Sequence, residues 1–178
     1  LPCGVFSNED ETKVGEFVST TFQSMQYRSF RHWFIANTLA ASAQWMQRVA
    51  QDWLVLTVLT DNSSFQVGIV TALQFLPLLL FSPYAGVVVD RVDRKTIIQI
   101  TQCSFGVFGL LLGVMVFTGH ASLWLVYLLA FGGGLAAAFD SPARQAFVSE
   151  LVPARSITNA VALNSVAFNF ARLIGPAI

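Results

Sequence analysis

The chain has 178 residues, with ten basic and ten acidic side chains that cancel, and only 11% of its residues are charged while 54% are hydrophobic. Ordinary soluble domains carry about 25% charged residues, so a typical soluble enzyme is excluded; with no net positive charge and no basic patch interleaved with aromatics, a nucleic-acid partner is excluded too. A mean hydropathy of +0.61 and long uncharged apolar runs point to an all-α membrane protein, because about 20 apolar residues cross the hydrocarbon core as a helix.

Residues 1–30 form a polar segment with an acidic patch at Glu9-Asp10-Glu11. It lacks the basic-then-apolar pattern of a cleavable signal. Residues 31–178 divide into five predicted spans, Trp33–Leu59, Phe65–Val89, Thr96–Thr118, Ala121–Phe139 and an incomplete Ile157–Ile178. The chain begins with Leu and stops inside an apolar run, the expected appearance of a fragment.

The first span holds the residues most expensive to place in lipid: Asn37, Gln44, Arg48 and Asp52, with Trp45 and Trp53 among them. Charges at depth are rare and usually face a bundle interior or a watery cavity, paired with something. Arg48 and Asp52 are four apart, on one helical face and able to pair. Gln44 continues that stripe and Asn37 lies two turns earlier. Two readings stand: a polar stripe lining a substrate and proton pathway, with Asp52 responding to protons, or a static Arg48–Asp52 pair near the outer interface.

Pro77 and Pro83 interrupt the second span, each removing a backbone donor and favouring a kink. The loop that follows, Gly86 to Lys95, packs five of the chain's twenty charges into six positions: Asp90, Arg91, Asp93, Arg94 and Lys95. A charged hairpin between two apolar spans suits a latch at the membrane face. Gly106, Gly109 and Gly113 line the third span, and Gly109 with Gly113 fits the small-xxx-small pattern of close helix approach. Gly132 to Gly134 and Ala136 to Ala138 give the fourth a smooth face. Asp140-Ser-Pro142-Ala-Arg144 is expected to end it, with Pro142 as the break and Asp140 and Arg144 joining the 90–95 loop in a cytoplasmic gate. The alternative is a solvated loop that only sets topology. In the fifth span Asn164, Asn169 and Arg172 precede Gly175-Pro176; these either line the pathway or act as interhelical hydrogen-bonding glue.

The connections alternate in charge. Lys13, Arg28 and Arg31 precede the first span, Arg91, Arg94 and Lys95 follow the second, and Arg144 and Arg155 follow the fourth, whereas the other two connections hold no Lys or Arg. Cytoplasmic loops are enriched in Lys and Arg, so the N-terminus is expected inside. No nucleophile–base pattern of a soluble enzyme is present, and Gly132-x-Gly134-x-x-Ala137, a formal dinucleotide fingerprint, lies within a span with no preceding strand. The chain is therefore read as a non-enzyme. Cys3 and Cys103 are far apart with no ligand spacing, so neither a disulfide framework nor a metal site is expected.

Gly86-xxx-Asp90-Arg91-xx-Arg94-Lys95 resembles the signature loop between the second and third helices of the major facilitator superfamily, with Asp93 where that motif usually has glycine. WMQRVAQDWL (45–54), GIVTALQFLP (68–77), FDSPARQAF (139–147) and NAVALN (159–164) resemble the subgroup that includes the enterobactin exporter. The resemblance runs from about Arg28 to the last residue. It implies a partial N-terminal half of a twelve-helix major facilitator bundle, with substrate bound near the midplane and exposed to each side in turn. It further implies a proton-driven exporter of a small siderophore- or drug-like molecule in a bacterial inner membrane. No cofactor is expected beyond the proton gradient, and the partners are the small-molecule substrate, the lipid bilayer and the C-terminal half. On the same resemblance Gly86, Asp90, Arg91, Arg94 and Lys95 form the cytoplasmic gate. Gly175-Pro176 resembles the start of the antiporter motif, although Ala162 and Ala171 occupy its earlier glycine positions. The basic residue of the fourth helix of drug antiporters is absent from Leu128–Phe131, which leaves Asp52 as the candidate for proton coupling. The alternative reading is a non-transporting membrane scaffold or an inactive truncated fragment.

Overall fold

A computed structural model of the protein describes residues 23–60, 62–153 and 156–175. Pro176, Arg155, Lys13 and residues 1–22 of the polar N-terminal segment lie outside the described residues. Five long helices follow a short 3-10 turn at Gln23–Gln26: α1 Arg28–Leu54, α2 Ser64–Arg91, α3 Arg94–Phe117, α4 Leu123–Leu151 and α5 Ile157–Ile174. A π-helical turn, Val55–Leu59, prolongs α1, and no strand occurs among the described residues. Three of the helices, α2, α3 and α4, are long and apolar enough to cross a membrane. The polar side chains of α1 and α5 keep those two below that composition.

One boundary departs from the sequence expectation. α4 does not end at Pro142 but continues through it to Leu151. A proline removes one backbone donor and crowds the preceding turn, yet neighbouring helices sustain prolines inside membrane helices; Pro77 and Pro83 sit within α2 in the same way. Asp140 and Arg144 therefore lie on a helix rather than in a loop. Two helix starts have side-chain caps. The Ser122 hydroxyl accepts from the Leu125 amide at the start of α4, and Asp93 caps α3.

α4 is the hub. It packs most extensively on α2, then on α3, and also meets α5, which lies along α1. Helices α2 and α3, though joined by a tight loop, scarcely touch. Leu54, Val55, Val70, Leu112, Val126 and Leu129 form an apolar core at the end remote from the charged loop. Phe30, Val148, Ala160 and Leu163 form another near the starts of α1 and α5. The outside is the reverse of a soluble protein. Leu79 is 76% exposed, Trp124 82% and Phe117 96%, which only a lipid environment or further protein makes tolerable.

Close approach occurs at glycine, but not where the α3 pattern placed it. A Cβ on Gly134 of α4 would lie 2.4 Å from the Gln74 carbonyl oxygen and 3.1 Å from that of Leu73 on α2. Leu73 is four residues before Pro77, so its carbonyl lacks its usual helical donor and stands where Gly134 lets α4 come near. On α3, Gly106 and Gly113 have nothing within 4 Å, and Gly109 meets only the end of the Gln47 side chain at 3.2 Å. Gly109 and Gly113 instead border an open apolar groove shared with Met46, Val49, Ala50 and Trp53 of α1.

Gly134→Ala is therefore expected to lower stability by about 1–3 kcal/mol, the usual cost of forcing extra atoms into a packed contact. Gly106→Ala should be neutral or stabilising by up to about 1 kcal/mol, since alanine is the better helix former. Unfolding of the two variants in detergent checks this; equal effects would show that α2 and α4 do not meet at Gly134.

Candidate functional site

A polar network joins four helices toward the charged-loop end of the bundle. On α4, Asp140 and Arg144 are one turn apart, and Arg144 Nε donates to Asp140 Oδ2 at 2.5 Å. Their side chains are only 7% and 12% exposed. The other carboxylate oxygen of Asp140 accepts from two α3 side chains, Thr101 Oγ1 at 2.6 Å and Gln102 Nε2 at 3.3 Å. A second guanidinium nitrogen of Arg144 donates to Asn37 Oδ1 on α1. The Asn37 amide nitrogen in turn donates to Asn164 Oδ1 on α5 at 2.8 Å. Asn37, Thr101 and Asp140 are all buried. Thr101 lies seven residues into α3, about 10 Å along its axis at 1.5 Å per residue. A charge at that depth is tolerable only when paired and hydrogen-bonded, and here each charge has a partner on another helix as well as its own.

The expected cross-loop cluster is not formed this way. Asp140 and Arg144 bind each other and the interior, because the unbroken α4 turns them to its buried face. The 90–95 loop meets α4 through a different pair, Arg94 with Glu150, a residue the sequence did not single out; at 51% exposure of Glu150 it is a surface contact. Asp90, Arg91 and Lys95 make no ion pair within 4.0 Å among the described residues. Arg91 occupies the last turn of α2, where a cation suits the helix dipole. Gly86 has open space around its Cβ position, so no close approach requires glycine there. Asp93 accepts from the Thr96 hydroxyl at 2.8 Å and its amide at 3.2 Å. The hydroxyl bond, with the backbone amides, holds this carboxyl below its ordinary range. The cap is thus complete at neutral pH and above the unfolded carboxylate pKa of about 4, and is lost as pH falls through the depressed folded value.

Deeper in the bundle, the α1 stripe takes another form. Arg48 and Asp52 make no ion pair within 4.0 Å among the described residues, although the two charges still act on each other across one turn. The Arg48 guanidinium carbon lies instead 5.1 Å from the Trp45 ring centroid and 5.5 Å from that of Phe75 on α2, since its weakly hydrated planar faces favour aromatic rings. Asp52 Oδ1 and Gln44 Nε2 are buried without hydrogen-bond partners among the described residues, as is one terminal nitrogen of Arg144. Gln44, Gln47, Arg48, Gln51 and Gln74, with Phe105 of α3, line a pocket of about 30 Å³ between α1, α2, α3 and α4, large enough for a water or two. Gln51 Nε2 donates to the Val126 carbonyl at 3.3 Å, and Gln74 Nε2 to Gln51 Oε1 at 3.5 Å. Gln47, Gln51 and Gln74 were not singled out from the sequence, although Gln44, Gln47 and Gln51 share helical spacing.

Other residues separate in the same manner. Asn37 and Asn164 belong to the loop-side network, whereas Arg172 lies over Trp45, 5.2 Å from the ring centroid. Asn169 bonds only to the Ser165 carbonyl on its own helix. Pro77 is buried within α2. Gly175 caps α5 against α1, where a Cβ would come 2.8 Å from that of Trp45. No cluster able to hold a metal ion occurs among the described residues.

Removing the Asp140 carboxylate strands Arg144 in the interior, so Asp140→Ala is expected to cost about 3–5 kcal/mol. Glu150→Gln should cost no more than about 1 kcal/mol, as for exposed ion pairs. Unfolding in detergent distinguishes them, and similar losses for the two would refute a special role for the buried network.

The transmembrane secretion effector family model matches residues 19–178. The chain is 30% identical over 149 residues to the staphyloferrin A transporter of Staphylococcus aureus, covering 83% of this chain and 37% of that protein. It is 28% identical over 126 residues to macrolide efflux protein A of Streptococcus pyogenes, 70% and 31%, and 30% identical over 116 residues to multidrug resistance protein 1 of Bacillus subtilis, 65% and 28%. The chain thus spans less than two fifths of the length of these relatives. No solved structure matches significantly. The chain belongs to the transmembrane secretion effector family of major facilitator transporters.

Proposed function

We propose, from this family membership, that the chain is the N-terminal part of an exporter of small organic molecules working by proton-driven alternating access. The single observation that carries the reading is the buried network from Thr101 through Asp140, Arg144 and Asn37 to Asn164. An apolar bundle that served only as a scaffold or anchor has no need of a buried ion pair linking four of its helices. A transporter does, because helices that must repack between two states need specific bonds in each, and a ligand or proton moves such an equilibrium through its differential affinity.

In this reading the loop-side network and the Arg94–Glu150 contact hold the inner end closed, and they release when the cavity opens inward. The glutamine-lined pocket and the α1 stripe face the substrate path near the midplane, where such folds bind their cargo. Asp52, whose Oδ1 has no hydrogen-bond partner among the described residues, takes up and releases the coupling proton. The relatives are named for a siderophore, a macrolide and multiple drugs, which supports a siderophore- or drug-like cargo. The basic connections support a cytoplasmic N-terminus and a bacterial inner membrane.

The complete protein in inverted membrane vesicles should accumulate cargo when a proton gradient is imposed and stop when a protonophore collapses it. Asp52→Asn should abolish gradient-driven accumulation at unchanged expression. Undiminished gradient-driven accumulation by that variant would remove Asp52 from the coupling step.

A further inference from the structure

We propose that Phe75 is a positioning residue: with Trp45 it holds the Arg48 guanidinium off Asp52 and so leaves that carboxyl free to exchange a proton. This deepens the export reading and rests on it. Arg48 and Asp52 stand four apart on α1, within reach of an ordinary helical ion pair, yet they make none within 4.0 Å. The guanidinium carbon lies instead 5.1 Å from the centroid of Trp45 and 5.5 Å from that of Phe75. Both distances fall inside the range of about 6 Å in which a cation is attracted to a ring face. Asp52 Oδ1 is buried without a hydrogen-bond partner among the described residues. Helix α4 supplies the contrast at the same spacing, where Asp140 and Arg144 bond directly at 2.5 Å. There the acid precedes the base. On α1 the order is reversed, the weaker orientation for such a pair, and two rings compete for the cation.

The two rings are not equivalent. Trp45 belongs to α1 itself, three residues before Arg48. Phe75 arrives from α2, so its contact exists only while α2 is docked beside α1. That docking is set where α4 meets α2: a Cβ on Gly134 would lie 2.4 Å from the carbonyl oxygen of Gln74, the residue next to Phe75. The freedom of Asp52 therefore follows the packing of α2. A carboxylate gripped edge-on by a guanidinium through two parallel bonds is held ionised and cannot serve as a proton carrier. One kept a turn away feels the charge and can still be protonated. Arg48 is the charge that acts on Asp52 among the described residues. Helices α2, α3 and α4 present no charged side chain to the pocket that Arg48 lines, and α5 brings Arg172 to the Trp45 ring, 5.2 Å from its centroid. Cation–ring contacts and ion pairs are of similar strength, so the loss of one ring tips the balance toward Asp52.

The test uses the complete transporter with Phe75→Leu, which removes the ring, and Phe75→Tyr, which keeps it. In inverted vesicles, ethidium and radiolabelled erythromycin give the ratio of gradient-driven accumulation to downhill equilibration. In detergent, infrared difference spectra between neutral and acid pH report the protonated Asp52 carboxyl, identified by its loss in Asp52→Asn. Phe75→Leu should lower the ratio at least tenfold and the Asp52 signal at least threefold, with downhill equilibration retained. Phe75→Tyr should change neither by more than twofold. An unchanged ratio or signal in Phe75→Leu, or equal losses in the two variants, would overturn the proposal. Accumulation by the unsubstituted protein without an Asp52 signal would overturn it while leaving export intact. An Asp52 signal with accumulation of neither probe would count against export itself and take this inference with it.

Discussion

A carboxylate and a guanidinium buried one turn apart on the central helix set the terms for this bundle. Asp140 and Arg144 cannot remain charged among apolar side chains unless their remaining hydrogen-bonding capacity is met, and α4 alone cannot meet it. Thr101 and Gln102 approach from α3 and Asn37 from α1, and Asn37 is held in turn by Asn164 of α5. The demand of two buried charges thereby fixes the mutual position of four helices. Apolar packing cannot do this alone in lipid, where tails are as apolar as leucine and association rests on close contact and interhelical bonds. Helix α2, which contributes nothing to this network, is held by the other device available, backbone approach at Gly134 beneath the Pro77 distortion.

The two polar regions differ in how their groups are bonded across helices. In the loop-side network each member is bonded to another helix, although one guanidinium nitrogen of Arg144 is buried without a partner among the described residues. Around Trp45 the groups are left open, with Arg48 and Arg172 stacked on aromatic rings and buried polar atoms of Gln44 and Asp52 unpartnered. Satisfied polar networks rigidify a bundle, while unpartnered buried polar groups carry a cost. Asn37 and Arg48 lie only about three turns apart on α1, so one helix carries groups of both regions.

Five helices, the charged loop and the family resemblance were legible because apolar runs of this length and a charge cluster between them leave few alternatives. Both comparison and fold agree with an all-α membrane protein of the major facilitator type. The end of α4 was misread because Pro142 carries a strong local signal for termination, which helix packing overrides. That one error misplaced Asp140 and Arg144 in a loop and hid Glu150, the partner of Arg94. The Arg48–Asp52 spacing correctly put both on one face, but spacing cannot reveal that Trp45 and Phe75 compete for the guanidinium. Gln74 was beyond reach, since its link to Gln51 joins two helices whose register no local pattern specifies. The α3 glycines misled because small residues permit close approach without requiring it.

A double-mutant cycle on Asn37→Ala and Arg144→Ala, followed by reversible unfolding in detergent, tests the central claim most directly. The account expects a coupling free energy of about 0.5–3 kcal/mol, as for residues sharing one network. Effects that add to within about 0.5 kcal/mol would mean that α1 and α4 are held by packing alone, and that the buried charges do not govern how the bundle is assembled.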